Sequence, residues 1–150
     1  MFLYYLFSLQ FKFMNEMITE QDFSLDELVR KLKKPEVGAI VTFLGIVRDD
    51  EGLTGVEIEI KDEIKADKEL EKLKEEALEK YDVEAVEIVH RKGLLEAGDN
   101  IVAILVGAKH RKEAFRACEY LIDVLRISET LNMRERRNHE ITQDYTEEKK

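Results

Sequence analysis

Two runs of the chain, VGAIVTFLGIV at 37–47 and NIVAILVGA at 100–108, hold almost nothing but apolar side chains, many of them β-branched. No other feature limits the fold as much. Branching at Cβ favours a pleated strand, and a strand without polar alternation has no face to offer water. The first run reads as a central strand buried on both faces, and the second as a further buried strand.

The segments between them read as helices and half-wet strands. SLDELVRKLKK opens on Ser24 with Glu27 three residues later, the spacing of a capping box. It sets Leu25, Leu28, Val29 and Leu32 on one helical face before Pro35 stops it. Residues 64–81 repeat at helical spacing, with Leu70, Leu73, Ala77 and Leu78 as a dry stripe and Glu and Lys on a solvated face. A third helix begins near Arg111, its apolar face Phe115, Cys118, Leu121, Ile122 and Leu125. GVEIEIK alternates Val56, Ile58 and Ile60 against Glu57, Glu59 and Lys61, a strand with one wet face, and VEAVEIVHR at 83–91 is another strand. Turn chemistry marks Asp49, Asp50, Gly52 and Gly55, and KGLLEAGDN turns through Gly93 and Gly98. The order helix, strand, strand, helix, strand, strand, helix implies an α+β fold, with helices packed on a mixed, largely antiparallel sheet. Beyond Arg126 no period survives, so irregular structure is expected there.

The chain of 150 residues is expected to be one domain, spanning 17–137. Residues 1–16 are expected to be a disordered extension or the product of an upstream start, and 138–150 a flexible tail. MFLYYLFSLQFKF is oily but too short to span a bilayer, and it lacks the basic start of a signal peptide, so no membrane is implied. The net charge of -9 argues against nucleic acid as a partner. Cys118 is the only cysteine, which fits a reducing compartment such as the cytoplasm. Its neighbours are apolar helix positions, so it reads as a small buried hydrophobe rather than a catalytic thiol. The three histidines show no metal-ligand spacing, and no phosphate-binding glycine loop or nucleophile elbow is present.

One cluster stands out chemically. The second apolar run ends in Lys109, His110, Arg111 and Lys112, at the start of the third helix. A helix start presents unpaired N–H groups and a partial positive charge, so basic side chains there are unfavourable unless an anion sits among them. Residues 100–137 carry eight Lys/Arg against five Asp/Glu, although the whole chain is acidic. Two readings stand: an anion site, or lysines pointing to water with His110 and Arg111 paired to nearby acids. Arg48, leaving the first apolar run in GIVRDD, is open in the same way between a functional loop residue and a surface ion pair with Asp49 or Asp50. His90, in HRKG, reads as a structural histidine hydrogen-bonded near a turn.

Taken together, VGAIVTFLGIVRD, VHRKGLLEAGDNIV and HRKEAFRACEYLIDVLR, in this order and spacing, resemble the large, catalytic subunit of molybdopterin synthase. The resemblance runs from about Ile18 to Glu135. It implies an α/β hammerhead fold and a homodimer. It also implies a partner: a ubiquitin-like small subunit whose C-terminal thiocarboxylate delivers sulfur to precursor Z, a cyclic pyranopterin monophosphate. No metal or dissociable cofactor is implied. The substrate-binding positions that carry over are Ile46, Val47, Arg48, His110, Arg111, Arg126, Met133, Arg134 and Glu135, with Arg126 and Arg134 as the catalytic pair. His110 and Arg111 would grip the substrate phosphate, which accounts for the basic cluster, and some groups would act across protomers. Two departures matter. The family has lysines where this chain has Arg126 and Met133. An arginine keeps the charge but cannot readily lose a proton. A homologue that binds the small subunit or the pterin without turnover is therefore the alternative.

Overall fold

Ser24 caps the first helix as its spacing predicts: its Oγ accepts the Glu27 N–H at 3.4 Å, and α1 runs Leu25–Leu32. The computed structural model describes residues 1–3, 17–50, 53–128 and 130–137, with the backbone alone at 53–54 and 132–137. The expectations for the rest of 1–16 and for 138–150 lie outside the described residues. Around α1 the elements are β1 (Ile18–Thr19), β2 (Ala39–Ile46), β3 (Leu53–Glu59), α2 (Glu63–Lys80), β4 (Ala85–Arg91), β5 (Gly93–Glu96), β6 (Asn100–Ala108), α3 (Arg111–Arg126) and β7 (Asn132–Arg137). Asp62 caps α2 by accepting the Lys65 N–H at 3.0 Å. Among the described residues no helix is long and apolar enough to cross a membrane.

The strands form two sheets rather than one. The larger has the order β1-β4-β6-β2; β1 lies parallel to β4 and the other pairs are antiparallel. Alternation along β6 divides the core. Val102, Ile104, Val106 and Ala108 meet α2 and α3 through Leu70, Leu73, Ala117 and Leu121. Ala103 and Leu105 turn to the other face, against Leu28 and Leu32 of α1. The smaller sheet, β5-β3-β7, is wholly antiparallel. It closes a second core of Val47, Val56, Ile58 and Leu95, which Ile101 at the start of β6 joins to the larger sheet.

Several expectations change. The run 37–47 is not a central strand: β2 is the edge of its sheet, and none of its eight residues is buried. An apolar run reports that both faces of a strand are covered, and it carries no information about the strand's lateral neighbours. Val41 and Phe43 lean on one half of the divided core, Ile40 and Leu44 on the other half, while the outer edge stays open among the described residues. Phe115 leaves the predicted apolar face and is 60% exposed, because α3 centres its contact on Ala114, Ala117, Cys118 and Leu121. Leu78 is likewise exposed, and Ala66 takes its place in the dry stripe of α2. β1 and β7 were not anticipated, since two residues are too few to show a period and NMRERR has the composition of a loop. The expected turns at Gly93 and Gly98 are present, at φ +93 and +91, but β5 runs between them.

Candidate functional site

The basic cluster lies where the chain leaves β6 and enters α3. Lys109, His110, Arg111 and Lys112 are all exposed, and with Gly38 and Ala39 they line an open hollow of about 580 Å³. His110 is the N-cap residue, in extended conformation, yet its side chain makes no capping bond. The only acid in the first turn, Glu113, is turned elsewhere: it accepts the Asp82 N–H at 3.2 Å and pairs with Arg116 at 3.1 Å. No ion pair to any of the four basic residues occurs among the described residues. Pairing of His110 and Arg111 with nearby acids, one of the two sequence readings, is therefore not seen among the described residues. What remains is a set of uncapped N–H groups ringed by cationic side chains, a combination suited to phosphate or carboxylate. Gly38 makes this corner possible: its N–H donates to Ala108 O at 2.9 Å, and a Cβ there would lie 2.5 Å from the Lys109 carbonyl oxygen.

The other candidates gather at the far end of the domain. Ile46 ends β2 and is 49% exposed. Val47 is buried in the second core, with its N–H donating to Asp99 O and its carbonyl accepting the Gly98 N–H. It anchors the loop rather than presenting a side chain. Arg48 projects from that loop and holds Asp50 through Nε at 2.9 Å and Nη2 at 2.8 Å, so the surface ion pair is real. Exposed pairs of this kind are worth little and can be exchanged for a stronger anion. Arg126 is the last residue of α3, exposed, where a cation suits the negative helix end. The turn beyond it is clamped by Glu69, which accepts hydrogen bonds from Ser128 Oγ at 2.8 Å and from Thr130 Oγ1. Sequence reasoning missed this role, because Glu69 reads as one more acid on a solvated helix. The clamp leads into β7, where Met133, Arg134 and Glu135 stand in register with Ile58, Glu57 and Val56 of β3.

Within one chain these two groups do not meet. β2 and β6 pair from Ala39↔Ala108 to Ile46↔Asn100, about 24 Å of strand. α3 doubles back over β6 and β2. Its rise of about 1.5 Å per residue separates Arg111 from Arg126 by about 22 Å. They nonetheless share a side. Successive helical residues turn by about 100°, which sets Arg111, Phe115, Ile122 and Arg126 on one flank. The opposite flank faces α2, with the Tyr120 and Tyr81 rings 5.6 Å apart. Since α2 covers β4, the arginine flank looks out over the open β2 edge.

The described ionisable groups hold no set of three or more His, Cys, Asp or Glu arranged for a metal ion. Burial pushes the Cys118 thiol up to about 11, which keeps it protonated and unreactive. His90 is buried, its Nδ1 2.8 Å from Arg91 O, and its pKa is lowered because the cation would be desolvated. It is a structural histidine, as expected.

Comparison with known proteins fits this layout. The family model described as MoaE protein matches residues 18–128, so Met133–Glu135 lie beyond the matched span. The molybdopterin synthase catalytic subunit of Pyrococcus abyssi is 41% identical over 106 residues, covering 69% of this chain and 71% of the relative. That of Thermoplasma volcanium is 37% identical over 112 residues, covering 73% and 81%. The crystal structure of molybdopterin synthase from Staphylococcus aureus superposes with a TM-score of 0.75 at 30% identity, over 81% of this chain and 90% of that one. The chain is a member of the MoaE family, the molybdopterin synthase catalytic subunits.

Proposed function

We infer that this protein, working in the cytoplasm, transfers sulfur from a thiocarboxylated ubiquitin-like small subunit to precursor Z, and that its active site is built from two copies of the chain. The observation that carries this reading is the open apolar edge of β2 beside the arginine flank of α3. Two copies pair antiparallel along β2 about a two-fold axis. The start of β2 and α3 in one copy then lies beside the end of β2 and α3 in the other. His110 and Arg111 of one protomer thereby face Arg48 and Arg126 of its partner, and the two half-sites become one cationic hollow. Phe115 and Ile122 fill the contact between them.

In that hollow, His110 and Arg111 hold the phosphate, with the N–H groups of the α3 start behind them. Arg48 exchanges Asp50 for the substrate anion. Arg126, with Arg134 of the adjoining strand, stabilises the oxyanion that develops as sulfur attacks the pterin carbon. Ile46 bounds the hollow, and Met133, Arg134 and Glu135 are consecutive along β7. The presence of arginine and methionine at the two family lysine positions favours one competing reading, a homologue that binds without turnover.

Reconstitution with the thiocarboxylated small subunit and precursor Z distinguishes them. The expected result is dithiolene product, with Arg126→Lys reducing the rate. No product, under conditions where a lysine-containing relative turns over, overturns the enzymatic reading. A large gain from Arg126→Lys would identify a decayed site.

A further inference from the structure

Arg48 takes its place from a turn that lies elsewhere in the chain. Its side chain is 80% exposed and meets Asp50. An exposed ion pair confines a long side chain only weakly. The reach of the guanidinium therefore depends on where the backbone at 47–48 is held.

That backbone is held from the start of β6. The strands β2 and β6 pair in step as far as Gly45↔Val102, and then Ile46 stands opposite Asn100. Ile101 is the extra residue of a bulge, and it leans on the second core. Past the bulge the chain runs onto the turn 96–99. There Val47 is gripped twice: its N–H donates to Asp99 O at 2.9 Å, and its carbonyl accepts the Gly98 N–H at 2.8 Å. Arg48 follows directly.

The turn is itself fixed by Asp99. Its Oδ2 accepts the Glu96 N–H at 2.8 Å, while its own N–H donates to Glu96 O at 3.0 Å. These bonds close the loop around Gly98, at φ +91. The Asp99 side chain forms no ion pair among the described residues. The next residue fastens the turn to the larger sheet. Asn100 O accepts Arg91 Nη1 at 3.2 Å, Asn100 Nδ2 donates to Asp22 Oδ1 at 3.0 Å, and Arg91 Nη2 donates to Glu20 O at 3.0 Å.

We propose that Asp99 is a positioning residue for substrate binding: through the turn 96–99 it sets the origin of the Arg48 side chain. The proposal rests on the reading of Arg48 as a contact to the substrate anion. Without the Asp99 carboxylate, the Glu96 N–H turns to water and the ledge under Val47 loosens. Arg48 then samples more positions, and more ordering is needed to hold the anion. Asp50 cannot restore the origin, because it moves with Arg48: its N–H donates to Arg48 O at 3.1 Å.

The test is the affinity of the full chain for precursor Z, read by calorimetry with the small subunit in its carboxylate form, so that no sulfur is transferred. Each variant is measured below its unfolding transition, and the variants form a double-mutant cycle. Arg48→Ala is expected to weaken binding about 10-fold and Asp99→Ala about 5-fold. The double variant should bind no more weakly than Arg48→Ala, since a misplaced arm costs nothing once the arm is gone. Asp99→Asn keeps an oxygen to accept the Glu96 N–H and should bind within about 2-fold of wild type. Three results each overturn the proposal while leaving the reading of Arg48 intact: wild-type affinity in Asp99→Ala, additive losses in the double variant, or Asp99→Asn as weak as Asp99→Ala. Wild-type affinity in Arg48→Ala, or a wild type that does not bind, removes the reading of Arg48 and this proposal with it.

Discussion

If the site is shared between copies, two inactive variants must rescue each other. Arg111 and Arg126 are about 22 Å apart along α3, too far for both to touch one pterin monophosphate from within a single chain. Each is expected to make a charge-assisted contact, worth about 1.5–3 kcal/mol when truncated, so Arg111→Ala and Arg126→Ala should each slow sulfur transfer roughly 10- to 150-fold. In a mixed dimer one site combines both lesions. The other takes Arg111 from the Arg126→Ala chain and Arg126 from the Arg111→Ala chain, and is intact. Random exchange makes about half of all dimers mixed, each with one good site of two, so an equimolar mixture should recover about a quarter of wild-type activity. The assay is dithiolene formation from precursor Z after subunit exchange, with exchange verified by differential tagging. Recovery no greater than the sum of the two variants, with exchange complete, refutes the shared site.

Three further outcomes are expected. Phe115→Glu places a charge in the contact between α3 helices while sparing the core, and should convert dimer to monomer in sedimentation. A wild-type monomer, or a variant that stays dimeric, contradicts the β2 pairing. Glu69→Ala leaves Ser128 and Thr130 without their acceptor and should cost about 1–2 kcal/mol in urea unfolding, lowering turnover through Arg126 more than phosphate binding through His110. Because the folded chain keeps His90 neutral, the unfolded chain binds the extra proton once pH falls below the ordinary value of 6.5. The stability it contributes is full above that pH and is lost on acidification at up to about 1.4 kcal/mol per unit, until the lowered folded pKa is reached. His90→Gln should flatten this part of the profile between pH 7 and 5. Identical slopes would show that carboxylates alone account for the acid sensitivity.

Local chemistry was legible without coordinates. The Ser24 cap, the halt before Pro35, the alternation of Val56 and Ile58 against Glu57 and Glu59, and the left-handed glycines at 93 and 98 depend on neighbours within a few residues, so the linear order suffices to specify them. The burial of Cys118 and the placing of His110 and Arg111 at a helix start follow for the same reason. Tertiary structure decided whatever depends on partners distant in the chain. Periodicity marks which faces of a strand are dry, but not which strand lies beside it, so β2 proved to be an edge and β6 the interior strand. The same limit hid β7, whose pairing with β3 spans about eighty residues of chain, and the Glu69 clamp on Ser128 and Thr130. It also hid how the proposed site is divided: the resemblance implied that some groups act across protomers, but not which ones. Strand and helix lengths put Arg111 and Arg126 at opposite ends of one protomer, and only the packing of α3 against β2 reveals that both face the open edge where a second copy can join them.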